Sequence, residues 1–285
     1  MAVQSFDEKK AYVAQEEKTA FFDDGREIEL LHYIYSHPNL EDIRGSPERV
    51  LEAIDEYGRT KKYLMNVGED KGRIVCDLIK EVKPKTMVEL GGYVGYSCIL
   101  FGSAVRQVGG QRYFSFEMNP EFAAVIMSLV DLAGLADIVK VVVGPSDASI
   151  ARLFSEGKLP HIDLMFLDHY KPAYITDLKF CEELKVISPG SVLAADNVIK
   201  PGNPPYLEYV RRSVKEKLEN FGEHRKSEGI PGRTVNQYKS RYGDMKFNES
   251  AGNPRLIYES NLVNSYEPTG VPDGIEITRC VGEQT

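Results

Sequence analysis

The chain has 285 residues, 42% of them hydrophobic, enough to bury one large α/β core. Its net charge of -8 argues against a sequence-independent grip on nucleic acid, which needs clustered Lys and Arg, and against anionic membrane surfaces. No apolar run reaches the roughly eighteen residues that span a bilayer, and the polar start MAVQSFDEKKAYVAQEEK has no signal-peptide core. A cytoplasmic setting is therefore expected, with Cys76, Cys98, Cys181 and Cys280 as free thiols, because their scattered spacing does not suit zinc.

Residues 1–25 are charged and weakly periodic and read as a flexible tail. One domain is expected over 26–285, beginning with cap helices over 26–82. Ile28, Leu30, Leu31 and Ile34 have helical spacing. Ser46-Pro47 opens a second helix with Val50, Leu51, Ile54 and Tyr57 on its apolar face, and Gly58 is expected to end it. A third helix runs from Lys71 to Val82.

The period then changes. Short apolar strands are expected at Thr86–Leu90, Arg112–Glu117, Val139–Val143, Ile162–Leu167 and Ser191–Asp196. Helices are expected between and after them, at Tyr96–Val108, Pro120–Ala133, Asp147–Phe154 and Ala173–Leu184. Strict alternation argues a parallel sheet covered on both faces. Tyr206–Phe221 reads as one more helix, 222–253 as an insertion or long loop, and Arg255–Glu259 and Gly274–Cys280 as two final strands.

Two constellations carry chemistry. The first strand runs into Glu89-Leu90-Gly91-Gly92-Tyr93-Val94-Gly95, a turn where glycines let backbone bend sharply and a ligand come close. Tyr93 stands where a dinucleotide fingerprint needs its second glycine, so the turn suits a ligand without a pyrophosphate. Glu117 ends the second strand, where a carboxylate can accept hydrogen bonds from a ribose diol. S-adenosylmethionine is an adenosine ligand of that kind, whereas taken alone the turn is equally a structural glycine bend.

The second constellation is Asp168-His169-Tyr170-Lys171 after the fourth strand and Asp196-Asn197 after the fifth. Neighbouring parallel strands bring their carboxyl ends side by side, so Asp168, Asp196 and Asn197 should meet as hard oxygen donors suited to Mg²⁺. A single Asp at a strand end is more often a cap or turn, but two strand ends bearing such groups argue for a site. Lys171, next to a dication, should have a lowered pKa and serve as general base.

These phrases, with Val50–Tyr57 (VLEAIDEY), Met65-Asn66-Val67-Gly68, Lys71-Gly72, Glu117–Pro120, Met165–His169 and Ala195–Pro201, resemble the catechol O-methyltransferase family in order from about residue 26 to about 211. The resemblance implies a Rossmann-like sheet of seven strands, mostly parallel with a reversed last strand. It implies Mg²⁺ on Asp168, Asp196 and Asn197, and Lys171 as base. It implies a cofactor pocket of Met65, Val67, Glu89, Gly91, Tyr93, Ser97, Glu117, Met118, Ser146, His169 and Tyr170. Tyr63, Asn197, Pro201 and Glu267 would join Lys171 in holding a small-molecule diol, with Glu267 on its second hydroxyl. A monomer or weak dimer is expected.

Departures concern the mouth. Tyr63 and Tyr170 stand where the family's vertebrate members carry Trp, Asp147 replaces an adenine-side Gln, and Lys200 replaces an apolar residue. The insertion has no counterpart in those shorter enzymes. Rival readings are a flavonoid or hydroxycinnamoyl O-methyltransferase, a catalytically silent S-adenosylmethionine binder, and a nicotinamide oxidoreductase, against which Tyr93 speaks.

Overall fold

The computed structural model describes residues 5–14, 23–221, 229–236 and 239–285. Its centre is a seven-stranded sheet in the order β3-β2-β1-β4-β5-β7-β6. The parallel strands are β1 (Thr86–Leu90), β2 (Arg112–Glu117), β3 (Val139–Val143), β4 (Leu164–Leu167) and β5 (Val192–Ala195). The closing hairpin pairs β6 (Leu256–Tyr266) with β7 (Pro272–Glu283), and β7 runs antiparallel to β5.

The parallel strands read as unbroken apolar runs because they feed two cores at once. In β1, Met87 packs into one core while Val88 and Leu90 pack into the other. The first core lies under α1 (Arg26–Tyr35), α3 (Pro47–Thr60), α4 (Gly68–Val82), α5 (Tyr96–Gln107) and α6 (Pro120–Leu132). A short α2 (Leu40–Ile43) joins α1 to α3. The second core lies under α7 (Ser146–Ser155), α8 (Tyr174–Glu183) and α9 (Pro204–Arg211). No helix among the described residues is long and apolar enough to cross a membrane.

Four expectations shift. The helix holding Gly58 runs on to Thr60, because Gly58 serves contact and not termination: a Cβ there would sit 2.5 Å from the Tyr12 ring. Residues 5–14 are accordingly docked, unlike the loose tail expected. Tyr12 is buried, its hydroxyl donates to Asp55 Oδ1 at 2.5 Å, and its backbone N–H donates to the Pro268 carbonyl. The single helix expected over Tyr206–Phe221 is broken. Arg212 is extended, and Ser213 with Glu216 forms a capping box that starts α10 (Val214–Glu219) anew. Finally, both terminal strands are longer than their apolar cores suggested.

In the insertion, the described residues form two single helical turns, α11 (Gly232–Val235) and α12 (Lys239–Tyr242), and otherwise irregular chain. Part of the stretch read as a long loop, 222–228 and 237–238, lies outside the described residues.

Candidate active site

Strand order reverses at β1, whose neighbours are β2 on one side and β4 on the other. Ligands of open α/β sheets bind beyond the carboxyl ends of strands at such a switch point. A cavity of about 900 Å³ lies there, large by the measure of ordinary ligand sites.

On one side of the cavity is the glycine turn. Gly91 has φ 91°, and a Cβ on it would stand 2.5 Å from the Asp168 carbonyl oxygen, so only glycine lets the end of β1 lie against the end of β4. Tyr93 is left-handed at φ 49°, and its hydroxyl donates to Glu27. Glu117 fastens the turn: its Oε2 accepts from the Gly92 and Tyr93 N–H groups, and its Oε1 from Asn119. Burial pushes its carboxyl up to about 7, against those three donors.

Across the cavity stand the oxygen donors. Leu167 and Ala195 are register partners in β4 and β5, so Asp168 and Asp196, one residue further on, leave adjacent strands together. Asn197 follows in a left-handed conformation at φ 56°, a region Asn tolerates better than most residues. Its amide N–H groups donate to Glu267 Oε1 at 2.7 Å and Asp273 Oδ2 at 3.2 Å. Lys171 Nζ donates to Asp168 Oδ1 at 3.1 Å and to the Tyr174 hydroxyl at 2.7 Å. That hydroxyl donates in turn to the Asp196 carbonyl oxygen.

Lys71 sits behind this group. It is fully buried, and its ammonium contacts Asp196 at 2.6 Å, Glu267 at 2.9 Å and Asp273 at 3.1 Å. Burial opposes its charge, but the three carboxylates outweigh that cost and hold its pKa well above the usual lysine range. Burial lifts the Asp168 carboxyl to about 7 and Glu267 to about 8, each helped by its acidic neighbours and opposed by a lysine. Four carboxyls thus face two ammonium groups, and full ionisation leaves the cluster short of two positive charges.

All but one of the site residues named from the sequence border this cavity. Tyr63, Met65, Val67, Gly91, Tyr93, Ser97, Glu117, Met118, Ser146, Asp168, His169, Tyr170, Lys171, Asp196, Asn197, Pro201 and Glu267 all border it. Glu89 does not. Its carboxylate lies beneath the turn, with Oε2 accepting from Ser115 and Cys98 and Oε1 without a partner. His169 stacks on Tyr174 and binds Asp177 through Nε2, which leaves Nδ1 buried and unpartnered.

Sequence reasoning missed Lys71 as a site residue, Tyr174, Asp177 and Tyr12. Lys71 had a legible signal. It falls on the buried stripe of α4 with Val75 and Leu78, at i, i+4 and i+7, where a lysine needs a buried partner. Asp177 gathers Ser146, His169 and Asn248.

A doubly wound sheet whose switch-point cavity carries a glycine turn, strand-end carboxylates and a lysine is the arrangement of a nucleotide-binding α/β enzyme domain. The model of the O-methyltransferase family matches residues 46–216. The catechol O-methyltransferase of Bos taurus is 37% identical over 199 residues, 70% of this chain and 71% of that protein. That of Mus musculus is 39% identical over 188 residues, 66% and 69% of the two chains. The chain belongs to the O-methyltransferase family. In fold it is similar to a Bacillus cereus O-methyltransferase solved in complex with SAH (TM-score 0.52, 19% identity, 88% and 99% of the chains covered). A SAH-bound Podospora anserina methyltransferase is similar too (TM-score 0.51, 17% identity, 93% and 99% covered).

Proposed function

We propose that this protein transfers a methyl group from S-adenosylmethionine to one hydroxyl of a catechol-type vicinal diol, with Mg²⁺ bound. The observation that carries this reading is the shared cavity: glycine turn and Glu117 on one side, Asp168, Lys171, Asp196 and Asn197 on the other. One 900 Å³ space has room for a nucleoside donor beside a small aromatic acceptor.

The donor set fits the metal. Among the described residues no three His, Cys, Asp or Glu side chains form a metal cluster, so the set needs the Asn197 amide. Asp168 Oδ1 is held by Lys171, Asp196 Oδ1 by Lys71 and the Asn197 N–H, and the Asn197 amide nitrogen by Glu267 and Asp273. Among the described residues the opposite oxygen of each has no protein partner, which gives three hard oxygen donors and no sulfur or imidazole, the chemistry of Mg²⁺ sites. The missing two positive charges match a dication. When bound, Mg²⁺ would supply Lewis acidity that favours the ionised diol, and S-adenosylmethionine an electrophilic methyl.

The protein's own groups supply position and proton transfer. Lys171, fixed by Asp168 and Tyr174, takes the proton of the reacting hydroxyl as the neutral amine, after giving its own proton to solvent. Glu267, fixed by Lys71 and Asn197, accepts from the other hydroxyl. Glu117 accepts from the donor's ribose, and Tyr63 and Pro201 border the acceptor's ring. Holding two reactants in near-attack geometry can lower the barrier by roughly 7–11 kcal/mol at best. The test is incubation with labelled methyl donor and a series of vicinal diols, with and without Mg²⁺. Magnesium-dependent labelling of one oxygen per diol is expected, and binding of donor without labelling of any diol would overturn the proposal.

A further inference from the structure

The cavity carries opposite charges at its two ends. Its deep carboxyls are spoken for. Asp168 is paired with Lys171, Asp196 and Glu267 with Lys71, and Asp177 is hydrogen-bonded to Ser146, His169 and Asn248. Toward solvent the lining contains Lys200, Arg233 and Lys246, all exposed. None of the three side chains forms an ion pair or hydrogen bond among the described residues, whereas Arg26, Lys71, Lys171, Arg212 and Lys217 each have an acidic or carbonyl partner. In a chain of net charge -8, three unpaired cations around one opening are out of keeping with the average surface.

Their placement is on the acceptor side. Lys200 adjoins Pro201 and follows Asn197 by three residues, on the segment after β5. Its backbone N–H, with that of Ile199, donates to Asp273 Oδ1, which fixes the segment to the same acid that holds Lys71. Arg233 lies on α11, which packs on the turn Lys171–Ala173. The hydroxyl of Tyr170 donates to the Val235 carbonyl, and Phe247 stacks on Tyr170 at 5.8 Å, so the insertion is seated beside the general base. Asp147, which also lines the cavity and accepts from the Ala148 N–H, lies in the first turn of α7 after β3, at the far end of the row of parallel strands.

We infer that the mouth selects diols whose ring substituent is anionic, such as a carboxylate, with Lys200 and Arg233 as specificity-determining residues. The inference rests on the acceptor being a vicinal diol, as proposed above. A diol bound deep by Lys171 and Glu267 points its ring substituent outward, into the field of these cations. A protonated amine there meets like charge, while a carboxylate gains at each of two or three positions.

The test uses three catechols of matched shape: 3,4-dihydroxyphenylacetate, 4-ethylcatechol and 3,4-dihydroxyphenethylamine, which are anionic, neutral and cationic. With the full-length protein, Mg²⁺ and S-adenosylmethionine, kcat/KM should fall in that order. The anion-to-cation ratio should be about tenfold at low salt and shrink toward about threefold at high salt, as screened rim charges do. K200Q and R233Q should each cut the ratio about threefold, and the pair K200E and R233E should invert it. Preference for the amine in the parent protein, or a ratio unmoved by charge reversal, overturns the inference. Should none of the three be methylated, the proposed function falls, and calorimetric titration of the same compounds still decides this point. Tighter binding of the anion, lost in the reversed pair, upholds it; equal or absent binding overturns it.

Discussion

Asp168, Asp196 and Asn197 leave the ends of buried parallel strands, whereas Arg233, Lys246 and Phe247 reach the same cavity from a stretch with two four-residue helical turns as its described regular structure. At the strand ends each of the three side chains is fixed through one of its polar atoms, and Lys71 ties together groups as many as 202 residues apart in sequence. At the mouth, Tyr170 is the chief anchor, through the Val235 carbonyl and the Phe247 ring. On the proposed function, chemistry that must be positioned to fractions of an ångström is built on the sheet, and choice among acceptors falls to irregular chain that can change without disturbing it.

That contrast predicts a graded set of effects. Chelation should abolish turnover, and added Mg²⁺ should restore it. D196N, which keeps the shape but weakens an oxygen donor, should lower kcat/KM about a thousandfold for every diol alike. Uniform loss is the signature of the deep site, and full activity with EDTA present removes the metal from the scheme. K171M should reduce kcat by about 10²–10⁴, the usual worth of a general base. Single-turnover rates that drop by less than about tenfold in K171M would assign the proton to another group.

Lys71 links the two halves of the sheet edge to stability. K71M strands Asp196, Glu267 and Asp273 without their cation and should cost about 3–5 kcal/mol in urea unfolding at pH 8. Glu267 gives the direction with pH. Its folded pKa is raised from 4.5 to about 8, so the folded chain holds that proton more tightly than the unfolded one. Stability from this group is complete below 4.5 and is lost as pH rises through 8. The K71M deficit should therefore be largest above pH 8 and shrink toward pH 5, and a pH-independent deficit would show that charge is not its cause.

Glu117 predicts a smaller effect on the donor side. Its carboxyl ionises near 7, and a ribose hydroxyl donates best to the ionised form. Donor affinity measured by calorimetry should tighten between pH 6 and pH 8, and E117Q should bind about tenfold more weakly with a flat profile. F247A should have the mildest outcome, a KM for the diol raised about threefold with a lesser change in kcat, since it removes one stacked ring from the mouth. If F247A matched D196N in severity, the division between the two regions would be wrong.

Much of the sheet was legible because its strands obey local rules. Thr86–Leu90, Arg112–Glu117 and Val139–Val143 are apolar runs closed by glycine or charge, and their observed ends coincide with the expected ones. The strand-end acids were legible for the same reason, since a parallel strand delivers its last residue to the carboxyl edge. The final hairpin was less so. β6 is an edge strand whose exposed and half-buried residues outnumber its buried ones, and the period-2 signal fades along Ser260–Ser265. Lys71 was read as the start of a helix, and its partners lie 125, 196 and 202 residues away, beyond any window of sequence. Tyr12 and Gly58 explain one another only in space: a ring in a charged segment and a glycine inside a helix each look accidental alone.

The docked segment that carries Tyr12 reaches further than the helix it touches. Phe6 lies against Gly270 and the Tyr266 ring, and Tyr12 holds Pro268 through its backbone, so this short strap brackets both sides of Glu267. A preparation trimmed to begin at the first long helix would lose Tyr12 from the first core as well as the latch on the hairpin tip. Such a protein should melt below the intact one as well as grip its acceptor poorly, and an affinity handle is better fused at the carboxyl end.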